Sequence, residues 1–211
     1  EGMIHVVLCD DHAMIRRGIK DTLSDSGQII VTGEAGSQEE LKNVLRSVRC
    51  EILVLDLNLP GRGGLEIIPT LKESQPHIKT LVVSMYPEDQ YALRCLKAGA
   101  SGYFNKSGEP ADLVKAIQQI HAGKRYLTAA VSELLVESLN TPEHETLHAK
   151  LSEREMQTLI KIASGKKLSD IAEDLMLSPK TVSVYRARLL EKLALSNNAE
   201  LTVYAIRNAL V

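Results

Sequence analysis

Three aspartates follow or end short apolar segments of the kind that form buried strands. Asp10 and Asp11 come directly after 4-IHVVLC-9, and Asp56 ends 52-ILVLD-56. Clustered carboxylates repel one another, so they persist mainly where a cation neutralises them. A few hard oxygen donors leave positions for water and a phosphoryl group, which suits Mg²⁺ better than a softer metal. The sequence therefore predicts a Mg²⁺ site, beside which a carboxylate can act as a nucleophile and form an acyl phosphate.

The elements that must position these acids alternate along the first part of the chain. The apolar segments are 4–9, 29–33, 52–56, 80–84 and 101–105, and helix-like segments lie near 13–25, 37–48, 64–74, 88–98 and 109–122. Five strand-helix units predict an open parallel sheet with helices on both faces. In such sheets the ligand crevice lies beyond the carboxyl ends of the strands. At the second helix, Ser37 followed by Glu40 predicts a capping box.

Further residues at the same predicted edge are placed to complete the site. Ser84 ends the fourth apolar segment and is expected to hydrogen-bond a phosphoryl oxygen, while Lys106 follows the fifth and is expected to pair with it. Asn58 is placed to give its backbone carbonyl to the metal ion. His12 follows the acid pair, but no second histidine lies at ligand spacing, so local capping or packing is its expected role.

The first 122 residues resemble a bacterial two-component receiver domain. The resemblance rests on the acid pair after the first strand, on "DLNLPGRGG" around Asp56, on Ser84, and on the lysine in "YFNKSGEP". It implies a flavodoxin-like, doubly wound sheet of strand order 2-1-3-4-5, with Asp56 phosphorylated by a sensor histidine kinase or a small phosphodonor. It also implies that Asp11 binds Mg²⁺ directly and Asp10 largely through water.

The resemblance further implies a conformational readout through Ser84 and Tyr103. A moving switch and an ordinary core aromatic are equally compatible with the position of Tyr103 at the end of the fifth strand.

The segment 151–193 is typical of a helix-turn-helix. Ser152 and Glu155 predict a capping box on its first helix, and Ser178 with Pro179 predicts the start of its last helix. On that helix we expect Val182, Leu189 and Leu193 to pack inward. We expect Lys180, Ser183, Val184, Ala187 and Arg188 to face the major groove of DNA, with Thr181, Arg186 and Lys192 near phosphates.

This second segment resembles the LuxR-type DNA-binding domain in "LSEREMQTL", "IAEDLMLSPKTV" and "EKL". A receiver followed by such a domain is the architecture of the NarL/FixJ response regulators. We therefore expect a receiver at 3–123, a partly helical linker at 124–150 and an all-α DNA-binding domain at 151–211. The charge agrees in sign, because residues 1–146 carry 15 Lys/Arg and 20 Asp/Glu, whereas 147–211 carry 10 and 7.

The expected function is that of a phosphorylation-dependent transcriptional regulator. Its expected partners are a sensor histidine kinase, promoter DNA and a second copy of the chain, because one helix-turn-helix covers only a half-site. No apolar run approaches the roughly 18–20 residues of a membrane span, and three scattered cysteines without metal spacing are typical of a reducing, cytoplasmic compartment.

Three rival hypotheses come from other classes of protein. The first is an enzyme that forms an aspartyl-phosphate intermediate, such as a small phosphatase. Such enzymes typically place a second acid two residues after the nucleophile, where this chain has Asn58. The second is a receiver-like binding module that takes no phosphate. The third, for residues 151–211 alone, is an amphipathic helical module for protein contact.

Overall fold

The computed structural model describes residues 2–60, 63–86, 88–140 and 147–211. Contacts divide the chain into two compact units: the first contains all five strands and six helices, and the second contains the four remaining α-helices. No helix in the described part of the chain combines the length and the apolar character that crossing a bilayer requires.

The first unit alternates strands and helices in the predicted order. Its strands are β1 (Ile4–Cys9), β2 (Ile29–Ala35), β3 (Ile52–Asp56), β4 (Lys79–Ser84) and β5 (Gly102–Asn105). Its helices are α1 (Ala13–Asp25), α2 (Gln38–Ser47), α3 (Ile67–Ser74), α4 (Glu88–Ala98), α5 (Pro110–His121) and α6 (Ala129–Asn140). The strands pair in parallel in the order β2-β1-β3-β4-β5, which confirms the predicted topology.

The core of this unit explains why β3 is apolar on both faces. All five of its residues are buried, because β3 lies between β1 and β4 and helices cover the sheet. Val54 packs with Leu8, Val83 and Ile117 in one apolar cluster. The carboxyl end of β3 is therefore held rigidly, and Asp56 with it.

The predicted helix at 64–74 begins three residues later, at Ile67. The preceding residues form a turn, in which the Gly64 N–H donates to the Leu57 carbonyl at 2.9 Å. A Cβ on Gly64 would lie 2.4 Å from the Asp56 carbonyl oxygen, so the chain passes closely behind the end of β3. This tertiary contact holds the segment outside the helix.

The predicted capping box on α2 is wrong in detail, and of the two roles expected for His12, capping or packing, the structure does not show capping. Ser37 caps α2 by accepting the Glu40 N–H, but the Glu40 carboxylate accepts the Gly36 N–H at 2.7 Å, so the predicted reciprocal box does not form. His12 occupies the N-cap position of α1, but its side chain makes no capping hydrogen bond.

The second unit is helical, as predicted. It consists of α7 (Glu153–Ala163), α8 (Leu168–Leu175), α9 (Pro179–Leu193) and α10 (Asn198–Arg207), preceded by a short 3-10 helix at Leu147–Lys150. Ser152 and Glu155 form the predicted capping box on α7, and Ser178 caps α9 with Pro179 at its first turn. The expected inward residues of α9, Val182, Leu189 and Leu193, are buried.

Residues 124–150, predicted to be a partly helical linker, include α6, which packs against α4 in the first unit. The polar stretch at 141–146 lies outside the described residues.

Candidate phosphoacceptor pocket and candidate nucleic-acid interface

The three predicted acids meet at the carboxyl edge of the sheet. Cys9 pairs with Leu55 in the β1–β3 ladder, so Asp10 and Asp56 are the next residues on neighbouring strands. Ligand atoms of Asp10, Asp11, His12 and Asp56 all lie within 4.8 Å of one another. Parallel pairing therefore converts the two distant sequence segments into one acidic cluster.

Lys106 joins this cluster from the loop after β5. Its ammonium lies 2.8 Å from Asp10 Oδ2 and 3.3 Å from Asp56 Oδ2, and all three side chains are almost fully buried. The Lys106 backbone N–H donates to the Ser84 carbonyl at 2.8 Å, which fixes the loop against β4. Lys106 thus contacts two of the three carboxylates.

Asp56 is buried in a way that leaves one of its oxygens available. Oδ1 accepts the Asn58 N–H at 3.1 Å. Oδ2 makes no hydrogen bond of good geometry within the described residues, although the Lys106 ammonium is near it. Burial raises the pKa of the Asp56 carboxyl above its ordinary value, and the nearby Asp10 raises it further, while Lys106 opposes both effects.

The donor set has the character of a cation site. Asp11 Oδ1 is also buried without a hydrogen bond in the described part of the chain. Buried acceptors normally accept a hydrogen bond, whereas these two oxygens have only the nearby Lys106 ammonium and His12 ring, so each could take a cation as a further partner. All of these donors are hard oxygens except the His12 nitrogen. Asn58 contacts Asp56 through its backbone N–H, and the role of its carbonyl stays a prediction.

Ser84 and Tyr103 lie next to the acids on β4 and β5. Asp56 pairs with Val83, so Ser84 is one residue beyond it on the adjacent strand, where it is buried and accepts the Tyr86 N–H at 3.0 Å. The Tyr103 hydroxyl donates to the Tyr86 carbonyl at 2.7 Å, and burial raises its pKa. Both side chains therefore contact the same residue after β4.

Sequence reasoning missed the position of the His12 ring. Its Nδ1 lies 3.3 Å from Asp10 Oδ1 and 3.1 Å from Asp11 Oδ1, and half of the side chain is exposed at the pocket mouth. The His12 backbone N–H also donates to Asp10 Oδ1 at 2.8 Å, which turns the chain and brings the ring back over the acids. Direct adjacency to the acid pair was the available signal.

The predicted DNA-facing residues of α9 form its solvent side. Lys180, Ser183, Val184, Ala187, Arg188 and Lys192 are exposed, and Thr181 and Arg186 are partly exposed. Two of them are engaged within the unit: Arg186 Nε donates to Asn198 Oδ1 at 2.6 Å, and the Lys192 ammonium lies 2.8 Å from the Glu155 carboxylate. A phosphate contact by Lys192 would therefore have to be shared with this ion pair.

The chain matches two protein families. Residues 6–118 match the family described as response regulator receiver domain, and residues 149–205 match the family described as bacterial regulatory proteins, luxR family. Together the two matched segments cover most of the chain.

Two curated relatives are similar over nearly the full chain. The chain is 38% identical over 210 residues to response regulator GacA of Pseudomonas aeruginosa, covering 99% of this chain and 98% of that protein. It is 37% identical over 209 residues to response regulator UvrY of Escherichia coli, covering 99% and 96%.

Solved structures of the response regulator RcsB are also similar. One, from Salmonella typhimurium, concerns conformational dynamism for DNA interaction and is 28% identical, with a TM-score of 0.60 over 97% of this chain and 98% of that one. Another, of an RcsB-DNA complex, is 28% identical with a TM-score of 0.60, over 96% and 98%. The two family matches and the full-length relatives establish that the chain belongs to the NarL/FixJ-type response regulators, a class of transcription factors in which a receiver domain precedes a LuxR-type helix-turn-helix domain.

Proposed function

We propose that this protein regulates transcription by binding promoter DNA through α9, and that phosphorylation of Asp56 controls this binding. The observation that carries the proposal is the buried Asp56 Oδ2, an acceptor without a hydrogen bond that faces Lys106 and the acid pair. A carboxylate oxygen that accepts no hydrogen bond keeps its lone pairs available for attack on phosphorus, and such perturbed buried acids cluster at functional sites.

Asp10, Asp11 and Asp56 would hold Mg²⁺, together with the backbone carbonyl of Asn58. The ion, when bound, supplies charge that stabilises the transferring phosphoryl group. The two buried oxygens that accept no hydrogen bond and the hard donor set support this assignment. His12 stands at the mouth of the same cluster, and its ring does not change the preference of three carboxylates for a hard cation.

The chain's own residues perform the rest of the reaction. An Asp56 carboxylate oxygen attacks the phosphorus of a phosphohistidine or of acetyl phosphate. A P–O bond to Asp56 forms as the bond to the leaving nitrogen or oxygen breaks, and the leaving group keeps that electron pair. The Lys106 ammonium and the Ser84 hydroxyl then donate to the oxygens of the new acyl phosphate. The product is a phosphorylated side chain, so we expect no turnover of phosphoesters beyond its own slow hydrolysis.

The readout of this chemistry begins at Ser84. A phosphoryl group on Asp56 would accept a hydrogen bond from the Ser84 O–H and draw the Ser84 side chain towards it. In this structure Ser84 Oγ accepts the Tyr86 N–H, and the Tyr86 carbonyl accepts from Tyr103, so a movement of Ser84 reaches Tyr86. Ser84 and Tyr103 therefore bias the segment after β4 between two arrangements, and the DNA-binding unit responds. We infer a homodimer on DNA, because two copies of α9 on adjacent half-sites are needed for high affinity.

Other partners and the compartment follow from the family. A sensor histidine kinase is the expected phosphodonor, and a cytoplasmic location gives the protein access to DNA. The solved complex of RcsB with DNA supports promoter DNA as the ligand of the second unit.

Intact mass after incubation with acetyl phosphate and Mg²⁺ tests the phosphoryl chemistry. We expect a hydroxylamine-labile phosphoryl adduct on the wild type and none on Asp56→Asn. An adduct of equal yield on both proteins would move the acceptor to another residue. Steady release of inorganic phosphate from p-nitrophenyl phosphate would favour the phosphatase hypothesis, and no adduct with any donor would favour the inert module.

DNA binding is tested with duplexes enriched from a random library by the phosphorylated wild type. Arg188 is exposed on α9 and Arg207 is exposed on α10, so each can be replaced by alanine with the same loss of charge. We expect Arg188→Ala to weaken binding about tenfold, since a base or phosphate contact is worth about 1–3 kcal/mol. Arg207→Ala should change it less than about twofold. Equal losses would indicate nonspecific attraction, and no enrichment would support a protein-contact module.

A further inference from the structure

Arg16, on the first turn of α1, reaches back to the backbone of the acid pair. Its Nη1 donates to the Asp10 carbonyl at 2.5 Å, and its Nε donates to Glu34 Oε1 at 3.2 Å. The side chain is 21% exposed. The guanidinium thus connects the turn after β1 to the end of β2. One of its partners is the Glu34 carboxylate, and the other is the backbone carbonyl of Asp10.

Glu34 fixes the far side of this guanidinium. Its other oxygen, Oε2, lies 2.9 Å from the Lys20 ammonium. The hydrogen bond from Lys20 is the main cause of a lowered Glu34 pKa, and the bond from Arg16 lowers it further, so Glu34 stays charged. A planar guanidinium with one nitrogen on this carboxylate has a fixed direction for its remaining N–H groups.

The Asp10 carbonyl helps to set the orientation of the Asp11 backbone. It belongs to the peptide unit whose N–H is that of Asp11, and this unit is planar. Holding the carbonyl therefore sets the plane from which the Asp11 side chain starts. Asp11 Oδ1 is buried without a hydrogen bond in the described part of the chain, although the His12 ring lies 3.1 Å from it, so its direction affects how the cluster can hold a cation.

The residue after β2 lies beside this turn at ordinary contact distance. A Cβ built on Gly36 would lie 3.5 Å from Arg16 Nη1 and 3.8 Å from the Asp11 Cα. Gly36, which follows β2, is therefore close to both the guanidinium and the backbone of the acid pair.

We propose that Arg16 is a positioning residue, which orients Asp11 for the cation by holding the Asp10 carbonyl. The proposal rests on the proposed function for the identity of the cation, Mg²⁺. It makes a prediction opposite in sign to simple electrostatics, because removing a positive charge near an acidic pocket should strengthen cation binding. Loss of positioning should weaken it.

Three variants separate the two effects. Arg16→Gln removes both the charge and the fork, and Arg16→Lys keeps the charge but not the fork. Glu34→Gln disturbs the Arg16 ion pair and changes the charge in the opposite direction, while leaving a donor on the Asp10 carbonyl. Thermal melts of all three report how much each change affects folding alone.

The measurement is calorimetric titration of the unphosphorylated full chain with Mg²⁺, which needs no phosphoryl transfer. We expect Arg16→Gln to raise the Mg²⁺ Kd about tenfold, as for other residues that orient a metal ligand. Arg16→Lys should raise it at least about threefold, and Glu34→Gln should raise it by less than Arg16→Lys does, because Arg16 loses its ion pair but still donates to the Asp10 carbonyl. An unchanged or lower Kd for Arg16→Gln, or a wild-type Kd for Arg16→Lys, would overturn the proposal.

Acetyl phosphate labelling of the same proteins keeps this result distinct from the proposed function. At saturating Mg²⁺ the labelling rate of Arg16→Gln should return to within about threefold of the wild type, because the defect lies in cation binding. A wild type that is labelled while the Arg16 variants keep its Kd would overturn the positioning role alone. If the Mg²⁺ affinity depends on Arg16 as proposed but the wild type takes no phosphoryl group, the proposed function alone would be overturned. A wild type that binds no Mg²⁺ would overturn both.

Discussion

Two acids stand at opposite ends of the same strand and have opposite surroundings. Glu51, just before β3, accepts the His5 N–H and lies 3.0 Å from the His5 ring and 3.4 Å from the His121 ring. These contacts, the His5 N–H first, lower its pKa to about 2. Asp56, five residues later, is almost fully buried, has one oxygen without a hydrogen bond, and has a raised pKa.

The difference is that the Glu51 carboxylate stabilises the fold, whereas the buried Asp56 carboxylate destabilises it. Glu51 is 28% exposed and bonded on several sides, so its charge is stabilised and structural. Asp56 is desolvated and faces Asp10, so its charge costs stability although Lys106 lies nearby. At the amino edge of the sheet the acid connects neighbouring elements, and the carboxyl edge is where we propose the phosphoryl chemistry.

The largest change in unfolding free energy should come from removing the Lys106 ammonium at the carboxyl edge. Lys106→Met leaves Asp10 and Asp56 buried without their shared partner, and we expect the unfolding free energy to fall by about 3 kcal/mol in EDTA. Lys20→Met is the matched control, since its pair with Glu34 is half exposed and should contribute less than about 1 kcal/mol. Urea unfolding followed by circular dichroism gives both values. Equal losses of unfolding free energy in Lys106→Met and Lys20→Met would mean that the buried acids at the carboxyl edge depend on their lysine no more than an exposed ion pair does.

The next largest change in unfolding free energy should be a gain, from Asp56→Asn. Asp56→Asn removes a costly buried charge, keeps an oxygen for the Asn58 N–H, and leaves Lys106 paired with Asp10. We therefore expect the unfolding free energy in EDTA to rise by about 1 kcal/mol, while phosphoryl labelling is lost. Excess Mg²⁺ should stabilise the wild type and reduce this advantage. A destabilised Asp56→Asn in EDTA would contradict the comparison.

The sequence was sufficient for the reactive edge because its geometry follows from local rules. Short apolar runs give buried strands, parallel strands align their carboxyl ends, and an acid placed directly after a strand must lie at that edge. The start of α3 at Ile67 was not predictable in this way, because the close approach of Gly64 to Asp56 is a tertiary contact.

The supporting residues were missed for the same physical reason. Glu51 meets its partners His5 and His121 across long separations in the sequence, and Arg16 contacts a backbone carbonyl, which has no residue type to recognise. No periodicity or spacing encodes such pairs. The sequence thus predicts which reactive side chains lie at strand ends. The contacts that orient those side chains depend on the folded backbone and could not be predicted.

The smallest effect should come from the amino edge, where the dependence on pH is diagnostic. Glu51→Gln weakens the bonds to the His5 backbone and ring but buries no unpaired charge, so we expect a loss of about 1 kcal/mol at pH 7. Because the folded pKa is about 2 and the ordinary value is 4.5, the carboxylate's contribution is complete above pH 4.5. It is lost as the pH falls towards 2.

Urea unfolding at several pH values between 2 and 7 checks this expectation, with Glu73→Gln on the exposed side of α3 as the control. The difference between wild type and Glu51→Gln should shrink from pH 4.5 to pH 2, and the control should show none at any pH. Labelling with acetyl phosphate should be unchanged in both variants, since neither residue lies at the carboxyl edge. A Glu51→Gln protein that lost labelling while keeping its stability would reverse the assignment of the two edges, because the amino edge would then act on the pocket through the length of β3.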